Sequence, residues 1–151
     1  MIDWKKVDHN HFEKFVYHVL LKLDFRNLQW HGKGGGDKGR DVVAYTYEKL
    51  PFNLGYERKW VFQCKKWSRF PDPTTITNDL LSAAQHNLDF WVLVIPVNPS
   101  SAQIDYFDKL NESHSFKIIL VPLVKIENFL SDYHELINIL LEGELKIGGN
   151  N

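Results

Sequence analysis

The chain has 151 residues, of which 44% are apolar and 25% charged, the make-up of one ordinary globular domain and not of a disordered chain. A single cysteine, Cys64, rules out an internal disulfide and a cysteine-rich zinc site. No apolar run is long enough to span a bilayer and the start lacks a secretory signal, so a soluble cytoplasmic protein with no membrane partner is expected. The net charge of −1 divides into +1 over residues 1–32, +5 over 33–69 and −7 over 70–151, a basic middle suited to a polyanion and an acidic end suited to solvent.

Phe12, Phe15, Val16, Val19, Leu20 and Leu23 fall at the spacing of one buried helix face, with Asn10 as N-cap. A short strand over 28–31 follows, then a glycine-rich turn over 32–39. Residues 41–47 read as a second strand, rich in β-branched and aromatic types. A loop around Pro51 and Gly55 leads to a third strand over 60–66. Helices and strands then alternate: a helix over about 75–87, a strand covered on both faces over 90–95, and a helix through Leu110 opened by Asn98-Pro99-Ser100. Another buried strand covers 116–121, and one or two helices over about 125–130 and 132–142 stop at Gly143. This order predicts an α/β fold: an antiparallel meander joined to βαβ crossovers, a mixed sheet of about five strands flanked by helices on both faces. Residues 1–143 form the single expected domain, and 144–151 a frayed tail or the start of a linker.

Several familiar sites are missing. No Gly-x-Ser-x-Gly elbow, His-Glu-x-x-His, Cys-x-x-Cys or Walker A motif occurs. Gly34-x-Gly36-x-x-Gly39 matches the dinucleotide fingerprint in letters, but it runs into a strand where that fingerprint opens a helix. What remains is Asp41 at the entry to the second strand, Gln63 and Lys65 on one face of the third, and Glu13 on the first helix. If the two strands pair as a hairpin, the start of one meets the end of the other, and Asp41, Gln63 and Lys65 share a pocket. A carboxylate and an amide oxygen are hard ligands suited to Mg²⁺, or Mn²⁺. A lysine beside them can orient water or stabilise charge on a phosphate. Glu13 lies about 20° from Leu20 on a helical wheel, at the border of the buried face, where it could add a second carboxylate. Asn10-x-x-Glu13 is also a capping-box spacing. A lysine in an apolar strand needs a partner. Cys64 reads as a small core hydrophobe, and Trp60 and Trp67 as core or rim packing and not base-stacking platforms.

Phe12-Glu13-Lys14-Phe15, then Gly36-Asp37-Lys38-Gly39-Arg40-Asp41-Val42, then Val61-Phe62-Gln63-Cys64-Lys65-Lys66-Trp67, together resemble the Mrr-type restriction endonuclease domain of the PD-(D/E)XK nuclease superfamily, over about residues 8–130. The resemblance implies a restriction-endonuclease-like sheet and Mg²⁺-dependent hydrolysis of DNA phosphodiesters. It casts Asp41 as the metal-binding aspartate and Gln63 as the glutamine that replaces an acid in this branch. Lys65 becomes the catalytic lysine and Glu13 the helix-one acid, while Asp37 shapes the turn. The stretch from Glu48 to Lys59 departs from a minimal hairpin.

The expected function is therefore a metal-dependent endonuclease domain. Asp41, Glu13 and Gln63 hold the metal, and Lys65 assists the attacking water. Lys33, Lys38, Arg40, Lys66 and Arg69 are available to grip the DNA backbone. The resemblance extends to defence against foreign, including viral, DNA. One site cuts one strand, so double-strand cleavage implies a homo-oligomer or a larger parent chain. Two rivals stand beside this reading: an inactive DNA- or partner-binding module on the same fold, and a nuclease selective for junctions or flaps.

Overall fold

The computed structural model describes residues 2–31 and 41–145. Helix α1 (His9–Lys22) leads to strand β1 (Arg26–Trp30), then β2 (Val42–Leu50), β3 (Leu54–Cys64), α2 (Pro73–Ala83), β4 (Phe90–Val94), α3 (Ser101–Ser113), β5 (Lys117–Val121), α4 (Leu123–Asp132) and α5 (Ile137–Glu142). Single 3₁₀ turns add Trp4–Lys6, Ala84–His86 and His134–Leu136. The strands lie in chain order across one sheet. β1, β2 and β3 pair antiparallel, while β3, β4 and β5 pair parallel. This is the expected meander with crossovers.

Alternation along the strands sends side chains to two cores. Val42, Ala44, Phe62, Cys64, Val92 and Val94 face α1, α4 and α5. Val43, Val61, Trp91, Leu93 and Ile95 face α2 and α3. The inner strand β4 is apolar on both faces because helices cover both. Cys64 is buried in the first core. Trp60 is held there by stacking on Phe90 and by an N–H donated to Thr46.

Local chemistry starts and stops the helices. Asp72 accepts from Thr75 N–H and Pro73 opens α2. Ser100 and Gln103 form a reciprocal capping box on α3. The outer edge of β5 is closed by Asn111, whose amide accepts from Ile118 N–H and donates to Ile118 C=O. Gly143 ends α5 at φ +83°, where a β-carbon would lie 2.6 Å from His11 Nε2. His11 Nδ1 and Lys14 Nζ contact the carbonyls of Leu140 and Gly143 at 3.2 and 2.6 Å, so the first helix caps the last.

Four local expectations change. α1 begins at His9, with Asp8 and not Asn10 at the N-cap, because Asp8 holds the extended backbone and its carbonyl accepts from Phe12 N–H. Leu23 caps the helix and is exposed, outside its buried face. β3 starts at Leu54, not Trp60: the hairpin runs unbroken from Leu50 opposite Leu54 to Val42 opposite Phe62. Its turn puts Phe52 and Asn53 at positive φ, the pattern of a type I′ connection. Gly55 does not break the strand because the Tyr47 ring lies over it, where a β-carbon would collide. Helix α2 ends at Ala83, and the chain turns through a 3₁₀ segment to Asn87 in the left-handed region. The glycine-rich turn falls outside the described residues, as do Lys33, Asp37, Lys38 and Arg40.

Candidate active site

β2 begins just after Asp41, where a side chain takes over from the ladder. Asp41 N–H donates to Phe62 C=O at 2.9 Å and its C=O accepts from His31 N–H. Further along β3, Cys64 N–H bonds Asp41 Oδ2 at 2.6 Å. A carboxylate in this place is buried, 2% exposed, yet satisfied. That bond holds the Asp41 carboxylate at the end of β3, against the backbone of the residue after Gln63. Gln63 is buried, and among the described residues its Oε1 has no hydrogen-bond partner. An orphaned amide oxygen costs about 1–3 kcal/mol, so its retention beside a carboxylate asks for a missing electropositive partner.

Lys65 follows two residues on. Its N–H donates to Val94 C=O, which fixes the chain as it leaves β3. Its ammonium sits 2.9 Å from Asp79 Oδ2 of α2 and 4.6 Å from the centre of the Trp67 ring. The approach to Asp79 is an ion pair without hydrogen-bond alignment, so Oδ2 remains formally unbonded. The lysine therefore has the partner its burial requires. Sequence reasoning missed Asp79. The available signal was an acid between the buried Ile76 and Leu80 on α2, with a lysine to answer across the sheet.

Glu13 lies on the α1 side of the sheet. It is 1% exposed, fully enclosed and not at the border its wheel position suggested. Oε1 accepts from Trp30 Nε1 at 2.7 Å, and Oε2 meets His9 Nε2 at 2.6 Å. Trp30 pairs with Val42, the residue after Asp41. Glu13 does not cap the helix, and it adjoins the site through Trp30. The contact with Glu13 raises the His9 pKa above its ordinary value, against partial burial and the nearby Lys66 charge, which act downward.

The structure thus brings Asp41, Gln63 and Lys65 together at the end of β3, adds Asp79 and Trp67 beside Lys65, and seats Glu13 on α1 with both oxygens engaged. Lys66 donates to Trp4 C=O at 3.0 Å, and Arg69 stands exposed in the following loop. Among the described residues no three His, Cys, Asp or Glu side chains form a metal cluster, and no helix is long and apolar enough to cross a membrane.

A mixed sheet whose hairpin and first crossover gather an aspartate, a glutamine and a lysine at one edge fits a nuclease-type domain. The restriction endonuclease family model, that of the Mrr catalytic domain, matches residues 4–130, and the chain belongs to this family. Among solved structures it is similar to the DNA modification-dependent restriction endonuclease AspBHI, with a TM-score of 0.59 and 15% identity, over 87% of this chain and 34% of that one. It is similar also to the MspJI restriction endonuclease in complex with a 27-mer oligonucleotide, with a TM-score of 0.56 and 14% identity, over 90% and 32%. The chain thus spans about a third of the length of each. No curated protein matches it significantly.

Proposed function

We propose that this domain hydrolyses phosphodiester bonds in DNA as a Mg²⁺- or Mn²⁺-dependent endonuclease. The observation that carries the reading is the buried Oε1 of Gln63, unpartnered among the described residues, next in the chain to the N–H that the Asp41 carboxylate accepts, with Lys65 two residues on. Two protein oxygens suit Mg²⁺, which keeps most of its waters and takes further ligands from substrate phosphate. In this reading Asp41 and Gln63 hold the metal. When bound, it would lower the pKa of a water and offset charge on the phosphate. Lys65, steadied by Asp79 and Trp67, directs its ammonium toward the charge developing at phosphorus or toward the attacking water. Glu13 serves as a buried anchor that seats β1 beside Asp41, because Trp30 and His9 take up its oxygens. The similarity to AspBHI and to DNA-bound MspJI supports DNA as the polymer. Membership of a restriction endonuclease family supports a role in defence against foreign DNA. One site cleaves one strand, so double-strand scission needs a second copy or the rest of a larger protein.

The test is supercoiled plasmid incubated with the chain and Mg²⁺ or Mn²⁺, beside Asp41→Asn, Lys65→Ala and an EDTA control. Nicking or linearisation that needs metal and disappears in both variants supports the assignment. Equal cleavage by the variants sinks it. A silent calorimetric titration with Mg²⁺ and Mn²⁺, together with no cleavage of any plasmid or branched substrate, would favour a DNA-binding module.

A further inference from the structure

Where β3 and β4 end, a cleft of about 470 Å³ opens between the 3₁₀ turn Trp4–Lys6 and the loop after β3. Its walls include Trp4, Lys5, Lys66, Trp67 and Ser68. Ligands of open α/β sheets favour this carboxyl edge of parallel strands, and here it is also the edge that holds Asp41, Gln63 and Lys65.

Three features give the cleft a chemistry. Trp67 is 42% exposed although it is an indole. Its ring approaches the Lys65 ammonium and also lines the cleft. Trp4 is anchored edge-on against Phe12 of the core, and its carbonyl is tied to Lys66 Nζ. That hydrogen bond joins the two walls and holds a cation between them, while Lys5 stands exposed at the rim. Aromatic surface with lysines at its border binds unstacked bases and their phosphates, since every base has a π-face and stacking is sequence-tolerant. A base in the interior of a paired duplex is stacked on both faces and has none to offer.

We propose that this cleft is a subsite for an unpaired nucleotide of the substrate, with the base against Trp67 and the phosphate near Lys5 and Lys66. The proposal rests on the nuclease reading and adds to it a preference for DNA that is frayed, nicked or distorted beside the cut. Trp67 is then a positioning residue, joining the subsite to Lys65 through the contact of ring and ammonium.

The experiment measures binding, apart from cleavage. The full chain carrying Asp41→Asn is titrated in EDTA with a short fluorescein-labelled oligothymidylate and with a matched blunt duplex, followed by anisotropy. Oligothymidylate should bind more tightly than duplex, and adding Trp67→Ala should weaken it about 5- to 150-fold, the range of one base–aromatic stack. Lys5→Glu should weaken it further, most strongly at low salt. A second readout guards against misfolding: unlabelled oligothymidylate should quench indole emission, and Trp67→Phe should remove most of the quench while circular dichroism stays unchanged. Unaltered affinity in Trp67→Ala, a quench that survives Trp67→Phe, or equal binding of matched duplex would overturn the proposal. Plasmid cleavage by the unsubstituted chain is scored separately. Cleavage without a Trp67 effect removes the subsite and leaves the nuclease, while binding without cleavage does the reverse.

Discussion

Replacing Trp30 by Phe removes one N–H from Glu13 and little else, because the ring is only half-buried. The carboxylate would keep His9 on Oε2 but lose its partner on Oε1 while remaining 1% exposed. An acceptor stranded in this way costs about 1–3 kcal/mol, and more when charged. With a small loss of apolar contact, the expected cost is roughly 2–4 kcal/mol. For a chain near this length each kcal/mol lowers Tm by about 2–4 °C, so the fall should be roughly 4–16 °C. Thermal unfolding by circular dichroism reads it. The control is the same substitution in a Glu13→Leu background, where no acceptor is left to strand and Trp30→Phe should cost less than about 1 kcal/mol. Equal costs in both backgrounds would refute the reasoning: Glu13 would then gain nothing from Trp30, and its burial would need another explanation.

Asp41→Ala and Asp41→Asn should both abolish cleavage, but only alanine should also lose about 1–3 kcal/mol of stability, because Cys64 N–H loses its acceptor; urea midpoints separate the two. The raised pKa of His9 ties stability to pH. A group whose pKa is higher folded than unfolded stabilises fully below its unfolded value of 6.5, and that contribution is lost as pH rises through the folded value. The stability difference between the unsubstituted chain and His9→Gln should therefore be largest in mild acid and shrink toward alkaline pH. It should stay below about 1 kcal/mol, since His9 is half-exposed; a difference that grows with pH would contradict the assignment. Gly143→Ala forces an L-residue into the left-handed region and sets its methyl against His11, for a loss of about 1–2 kcal/mol. Unchanged thermal unfolding of that variant would show that α5 can end otherwise.

Much of this geometry was legible before any coordinates. Period-two runs and glycine punctuation yield the strand order, and pairing the second strand with the third brings Asp41, Gln63 and Lys65 to one edge. What escaped depends on neighbours distant in sequence. A helical wheel gives the bearing of Glu13 but not the Trp30 indole that β1 lays over it. Gly55 reads as a breaker because glycine lacks a side chain to pack, and the Tyr47 ring that covers it arrives from the opposite strand. Lys65 announces a need for a partner, but its identity depends on how α2 docks, which no local pattern encodes. Trp67 reads as packing because most tryptophans pack. Its exposure arises from the loop between Cys64 and Pro73, which carries it away from both cores.

The bond from Lys14 to the Gly143 carbonyl bears on how the protein is made. α1 emerges from the ribosome first, and the helix that covers part of it, with Ile139 and Leu140 in the same core, emerges more than a hundred residues later. Until then the apolar stripe of α1 has no complete cover, and the sheet it should pin has no finished wall. The candidate catalytic side chains all lie within the first half of the chain, yet their scaffold closes only on its last helix. A nascent fragment would carry the chemistry of a nuclease without the rigidity to use it, and domains fold as units during synthesis for this kind of reason.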